Sequence, residues 1–199
     1  MNLQKDYYLE NSRVLLKPLV IEDTNKLANI AINEPDLWNY TLNKPNSEKK
    51  LNTYITNVIA DRKNGVSYAF SVYDKQKQAY AGCTRVYEIN SIHKTCAIGY
   101  TWYSKNFQGT GLNKNCKYLL FKFAFEELLM ERIQFRADKN NIRSINAIKS
   151  LGCKEEGGLR SNMYKPDGTR RNSMILSILK NEWLNSEKKK LKDKIEIHH

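Results

Sequence analysis

No apolar run in this chain reaches about 18 residues, so no membrane-spanning helix is expected. The opening stretch, Met1 to Glu10, carries Lys5, Asp6 and Glu10 and has no apolar signal core, which points to a cytoplasmic protein. Cys83, Cys96, Cys116 and Cys153 form no C-x-x-C pair and have no accompanying histidine pattern, so a metal site is not expected. Each sits among apolar residues, which predicts free, buried thiols. The Gly-Lys-Ser/Thr of a Walker loop is missing, since Gly111 is followed by Leu112 and Asn113. The third glycine of a dinucleotide fingerprint is missing after Gly109-Thr110-Gly111. No repeat and no interdomain linker is visible.

What remains is 199 residues with 41% hydrophobic content, enough for one packed domain. The net charge of +12 admits nucleic acid, an acidic membrane face or a polyanionic cofactor. Part of it sits in a basic tail over residues 185–199, at Lys188, Lys189, Lys190, Lys192 and Lys194, which reads as a solvated, frayed helix end. His198 and His199 look like the start of a purification tag. An RNA-binding reading needs basic residues interleaved with aromatics, and none are interleaved outside the tail.

Periodicity orders the elements. Val14 to Leu19 reads as a strand, and Asp23 as the N-cap of a helix facing Leu27, Ile30 and Ala31 inward. Glu34 to Asn46, with two prolines, reads as loop. A second helix starts at Ser47-Glu48, stripes Leu51, Ile55, Val58 and Ile59, and ends at Asn64-Gly65. Three strands follow as an antiparallel meander, around Tyr68 to Val72, Tyr80 to Asn90 and Thr95 to Tyr103. In the third, Ile98, Tyr100 and Trp102 are expected on one face. A long helix over Gly111 to Leu129 lines up Leu112, Cys116, Leu119, Leu120 and Phe123. A strand through Ile133, Phe135 and Ala137, a helix over Asn141 to Ser150 closed by Gly152, and a hairpin of Glu155 to Lys165 and Arg170 to Leu179 complete the chain. The order β-α-α-β-β-β-α-β-α-β-β predicts an α/β (α+β) fold over residues 1–184, with one mixed, largely antiparallel sheet and a βαβ crossover around the long helix.

The run Trp102 to Leu120 is the most informative. A strand enters a glycine-bearing loop, and the loop opens a helix. Bare N–H groups at a helix N-terminus favour an anion, so this is a phosphate cradle or, without a ligand, a tight turn.

With that loop go IGYTWY (Ile98 to Tyr103), QGTG-x-N (Gln108 to Asn113), KYLLFKFAFE (Lys117 to Glu126), D-x-x-N-x-R-S (Asp138 to Ser144), AIKSLGC (Ala147 to Cys153) and the closing Glu182-Trp183. In this order and spacing the chain resembles the GNAT superfamily of acyl-CoA N-acetyltransferases, RimJ/RimL-like branch, over roughly Val14 to Trp183. The resemblance implies acetyl-CoA as cofactor and direct transfer of its acetyl group to a primary amine, either a protein N-terminus or a small molecule. The pyrophosphate would meet the backbone of Gln108, Gly109, Thr110, Gly111, Leu112 and Asn113, with Lys114 either adding charge or simply solvated. It implies a pantetheine contact at Asn141, which is equally an N-cap, and an oxyanion donor in the backbone of Trp102 or Tyr103. Ser144 would serve the leaving thiolate, because Ile148 stands where many relatives have tyrosine. The glutamate many relatives carry before Ile-Gly-Tyr is Ala97 here. The base is therefore open among Glu88, His93, Asp167 and a water chain, with Glu88 preferred. The acceptor is expected against Asp36, Trp38 and Tyr40, and against Met163, Tyr164 and Asp167. A non-catalytic CoA-binding module stays as an alternative, motivated by Ala97 and Ile148. The chain is expected as monomer or homodimer.

Overall fold

The computed structural model describes residues 2–196, so the expectation about His198 and His199 falls outside the described residues. Strands β1 (Leu9–Glu10), β2 (Val14–Pro18), β3 (Ser67–Asp74), β4 (Ala79–Asn90), β5 (Thr95–Tyr103), β6 (Arg132–Asp138), β7 (Lys154–Tyr164) and β8 (Arg170–Leu179) form one sheet in the order β1-β2-β3-β4-β5-β6-β8-β7. Among the described residues only β5 and β6 pair in parallel, and the long helix makes the crossover between them, as a parallel connection requires. The mixed, largely antiparallel sheet matches the sequence expectation, apart from the two-residue β1, which periodicity cannot register.

Helices cover both faces. On one, α1 (Asp23–Asn33) and α2 (Glu48–Lys63) bury Leu27, Ile30, Leu51, Ile55 and Val58 against Ala69, Cys83 and Trp102. On the other, α3 (Leu112–Lys122) buries Leu112, Cys116, Leu119 and Leu120 against Phe70, Ile98 and Phe135. A π-turn, Phe123–Glu127, continues α3 and puts Phe123, Ala124 and Phe125 in the same core. Helix α4 (Ile142–Lys149) lies on that face too, through Ile145 and Ile148. All four cysteines are free and buried, and among the described residues no helix is long and apolar enough to cross a membrane.

Two expectations need correction. Asp23 does not cap α1. Its carboxylate is fully buried against Lys17 (3.3 Å) and Lys26 (3.4 Å), and it accepts from the Val20 N–H at 3.3 Å. Nor is the basic tail frayed through residue 196, the last one described. One turn, α5 (Lys180–Glu182), leads through a π-turn at Trp183–Glu187 into α6 (Lys188–Glu196). Leu191 and Ile195, four apart and so on one face, are buried in the α3 core.

Candidate functional site

The site begins where β5 and β6 part. They pair only over Thr95–Ala97 and Arg132–Gln134. The cause is visible on the other side of β5. Tyr100 takes φ +49°, and the register of β5 against β4 shifts between Cys83 and Arg85. The bulge bends the second half of β5 toward β4, as bulges do. Gly82 makes room for it: a Cβ there would stand 1.9 Å from the Trp102 carbonyl oxygen. The bulge also flips the alternation, so Ile98 packs in the α3 core while Trp102 packs in the α1/α2 core. The expectation that both share a face is thereby corrected.

The parting opens a cleft of about 1060 Å³, with Ile98–Tyr103 on one wall and Phe135–Asp138 on the other. Ser104 N–H donates to the Ala81 carbonyl at 2.9 Å. In an antiparallel ladder, backbone groups alternate in direction, so the N–H and C=O of Tyr103 point away from β4. The Tyr103 carbonyl indeed accepts from Gln108 Nε2 at 2.8 Å. Of the two backbone candidates, Tyr103 is the one directed toward the gap. Its ring is buried beside the Cys116 thiol, and burial pushes its pKa well up.

At one end of the cleft is the glycine loop. Gly109 (φ +74°) and Gly111 (φ +82°) are both left-handed, which a side chain would resist, and Gly111 is the N-cap of α3. The Gln108 N–H donates to Lys105 O at 3.1 Å. Among the described residues, no protein group accepts from the amides of 109–114. A run of unspent amides at a helix N-terminus is an anion cradle. Lys114 lines the cleft here, and Arg143 donates to Gln108 Oε1 at 2.5 Å. With both ends of its amide engaged by protein, Gln108 is a strut between β5 and α4. Thr110 donates its hydroxyl to Phe107 O at 2.9 Å, and Leu112 is wholly buried, so neither side chain lines the cleft. The cradle thus fits a diphosphate through main chain, with two cations beside it.

Asn141 caps α4, accepting from Ser144 N–H at 3.0 Å, and both side chains line the cleft. Where the acceptor is expected, Trp38 packs edge-on to Trp102 (5.3 Å between ring centres), and the half-exposed Tyr40 also lines the cleft. Asp36 lines the mouth, paired with Lys105 at 2.8 Å. Met163 lines the cleft, but Tyr164 does not: it is 70% exposed, under the Arg170 guanidinium. Tyr164 is therefore corrected from acceptor contact to surface residue. Its position in β7, where successive side chains take opposite faces, turns it from the side Met163 occupies.

Glu88 lines the cleft, but both its oxygens are held by Arg136, at 2.8 and 2.7 Å. A bidentate guanidinium fixes the carboxylate's orientation and engages one lone pair on each oxygen, so the structure does not favour Glu88 as general base. His93 is exposed in the β4–β5 turn and Asp167 in the last hairpin, and neither reaches the cleft.

Sequence reasoning missed two cations. Lys117 on α3 is buried and donates to Thr84 Oγ1 (2.9 Å) and Thr101 Oγ1 (2.8 Å). Desolvation lowers its pKa to about 8. The available signal was a lysine set in the apolar stripe of an otherwise regular helix. Arg171, at the start of β8, is the other, and lines the cleft beyond the end of β6.

A sequence profile described as "Acetyltransferase (GNAT) domain" matches residues 13–154. A Bacillus subtilis (strain 168) protein provisionally named ribosomal N-acetyltransferase YdaF is 28% identical over 182 residues, covering 87% of this chain and 94% of that one. A provisionally named acetyltransferase from T. thermophilus superposes with a TM-score of 0.84 at 29% identity, over 94% of this chain and 96% of that chain. The microcin C7 self-immunity acetyltransferase MccE, solved with acetyl-CoA and AMP, shares the fold with a TM-score of 0.76 at 20% identity, over 85% of this chain and 93% of that chain.

Proposed function

This chain belongs to the GNAT acetyltransferase family and is an acetyl-CoA-dependent acetyltransferase, and we propose that its acceptor is a primary amine that attacks the thioester directly within the β5–β6 cleft. The observation that carries this reading is the run of unspent amides at 109–114, placed at one end of a cleft whose middle is the strand gap. Those amides, with Lys114 and Arg143, hold the diphosphate by hydrogen bonds and charge. The acetyl-CoA thioester supplies the activated acyl group. Asn141 steadies the arm between them. The Tyr103 N–H meets the oxyanion formed on the acyl carbon, and the Ser144 hydroxyl donates to the departing sulfur.

The attacking amine must first lose a proton. Every carboxylate lining the cleft is engaged: Asp36 with Lys105, Glu88 with Arg136, and Asp138 with the Asn140 N–H at 2.9 Å. In this reading the proton leaves to water at the open mouth, and rate enhancement rests mainly on proximity and on the preset N–H donor.

Thiol release from acetyl-CoA over a panel of primary amines tests the reading. Release that depends on an amine, and falls sharply in Gly111→Trp, is the expected result. Release that is unaffected by Gly111→Trp, or that needs no amine, would remove it.

A further inference from the structure

Arg171 is 8% exposed and lines the acceptor end of the cleft. Among the described residues its side chain makes no hydrogen bond and no ion pair, and its Nε is buried without a partner. Its neighbours offset its charge only in part. The nearby Asp138 carboxylate favours the cation, but no ion pair or hydrogen bond joins the two side chains, and Asp138 Oδ1 accepts the Asn140 N–H instead. Arg136 nearby adds a second positive charge and is tied to Glu88. Tyr87 and Tyr100, edge to face at 5.0 Å, wall the same space. Burying a guanidinium without a hydrogen-bonded partner is costly, and this one cannot shed its proton. A fold that keeps such a group on a cleft wall gains only when an anion arrives.

We propose that Arg171 receives an oxyanion, a carboxylate or a phosphate, carried by the acceptor, so that the substrate class is amines bearing an anionic group. This rests on the acetyl-transfer reading above and deepens it. The planar fork of a guanidinium matches either oxyanion through two parallel hydrogen bonds, and desolvation makes those bonds count. Arg171 stands past the end of β6, and the Tyr103 N–H lies within the gap. The amine therefore points inward and the anion outward along one molecule.

The test compares ω-amino carboxylates of one to five methylenes with their carboxamides, and ω-aminoalkyl phosphates with the matching amino alcohols. The expected result is that, at one chain length, the anionic member has kcat/KM at least about tenfold higher, carried mainly by KM. The arm that wins says whether carboxylate or phosphate is the match. In Arg171→Met the ratio collapses toward one while KM for acetyl-CoA holds, and Arg171→Lys keeps part of it. Equal rates for anionic and neutral members in the unaltered protein overturn the inference and leave amine acetylation standing. A rise in KM for acetyl-CoA alone in Arg171→Met overturns it too, since Arg171 would then serve the cofactor. Should no amine release thiol, the acetyl-transfer reading fails, and calorimetry of the same amino acids and phosphates still decides. Saturable binding lost in Arg171→Met supports the site, and absence of binding to the unaltered protein sinks it.

Discussion

Lys117 Nζ donates to Thr101 Oγ1 across 2.8 Å and to Thr84 Oγ1 across 2.9 Å, and those two hydroxyls are themselves 2.8 Å apart. The long helix is thereby tied to both strands of the bulged pair, at the place where β5 leaves its regular register. The lysine has two hydrogen-bond acceptors but no carboxylate, so its charge is solvated by dipoles alone.

That relationship has a pH signature. Lys117 has a lower pKa folded, about 8, than its ordinary 10.5, because burial disfavours the cation. The native state therefore binds fewer of its protons, so the penalty is full below about pH 8 and is relieved as pH rises toward 10.5. The window spans on the order of 3 kcal/mol. Buried thiols and tyrosines act in the opposite sense: burial pushes Cys116 to about 11 and Tyr87 to about 12. The readable quantity is thus a difference. Urea unfolding of the unaltered protein and of Lys117→Met, from pH 7.5 to 10.5, should show the unaltered protein gaining on the variant as pH rises. A constant difference across that range would show the lysine to be charged and well solvated in the fold.

Glu88→Gln keeps the shape of the side chain and removes its ability to take a proton. With both oxygens on Arg136, the expected loss in kcat/KM is within about threefold, against about 10²–10⁴-fold for a lost general base. The pH profile should keep its form. A hundredfold loss with an altered acidic limb would restore Glu88 to the chemistry.

The sequence made the scaffold readable because its signals are local. The stripe Leu112, Cys116, Leu119 and Leu120 and the Ser47-Glu48 start of the second helix each arise within a few residues. The cleft was readable only in part. Period two carries Ile98, Tyr100 and Trp102 to one face, and nothing in that tripeptide spacing announces that Tyr100 adopts a positive φ. The bulge is imposed by pairing with β4, through the space at Gly82, and pairing is not local. Lys117 and Arg171 were passed over for a related reason. A charged residue in an apolar stripe, or one of two adjacent arginines, becomes a cleft cation only once distant strands separate. The tail helix was legible, since Leu191 and Ile195 are spaced four apart among lysines, but charge density outweighed that spacing.

Trp183 anchors that tail. It is fully buried, edge-on to Phe121 at 5.6 Å, and its Nε1 donates to Glu126 at 3.0 Å. Trp183→Ala should cost about 3–5 kcal/mol, mainly through the cavity it leaves, since the Glu126 carboxylate keeps its ion pair with Lys188 at 2.8 Å. Trp183→Phe should cost distinctly less. Urea midpoints measure both, and equal midpoints for the alanine variant and the unaltered protein would show the tail to be dispensable for the core.

Asn141 has one oxygen and one amino group, and the fold already spends the oxygen. Its Oδ1 accepts the Ser144 N–H and caps α4. A pantetheine contact must then use Nδ2, which leaves two roles on two atoms of one side chain. Asn141→Asp keeps a good capping oxygen and deletes the donor. It should leave the melting temperature close to that of the unaltered protein and raise KM for acetyl-CoA several-fold. Asn141→Ala deletes both and should add about 1 kcal/mol of destabilisation to the same KM effect. If the aspartate variant binds acetyl-CoA as the asparagine does, the residue is a cap and nothing more, because the only atom that differs is the one the cofactor would need.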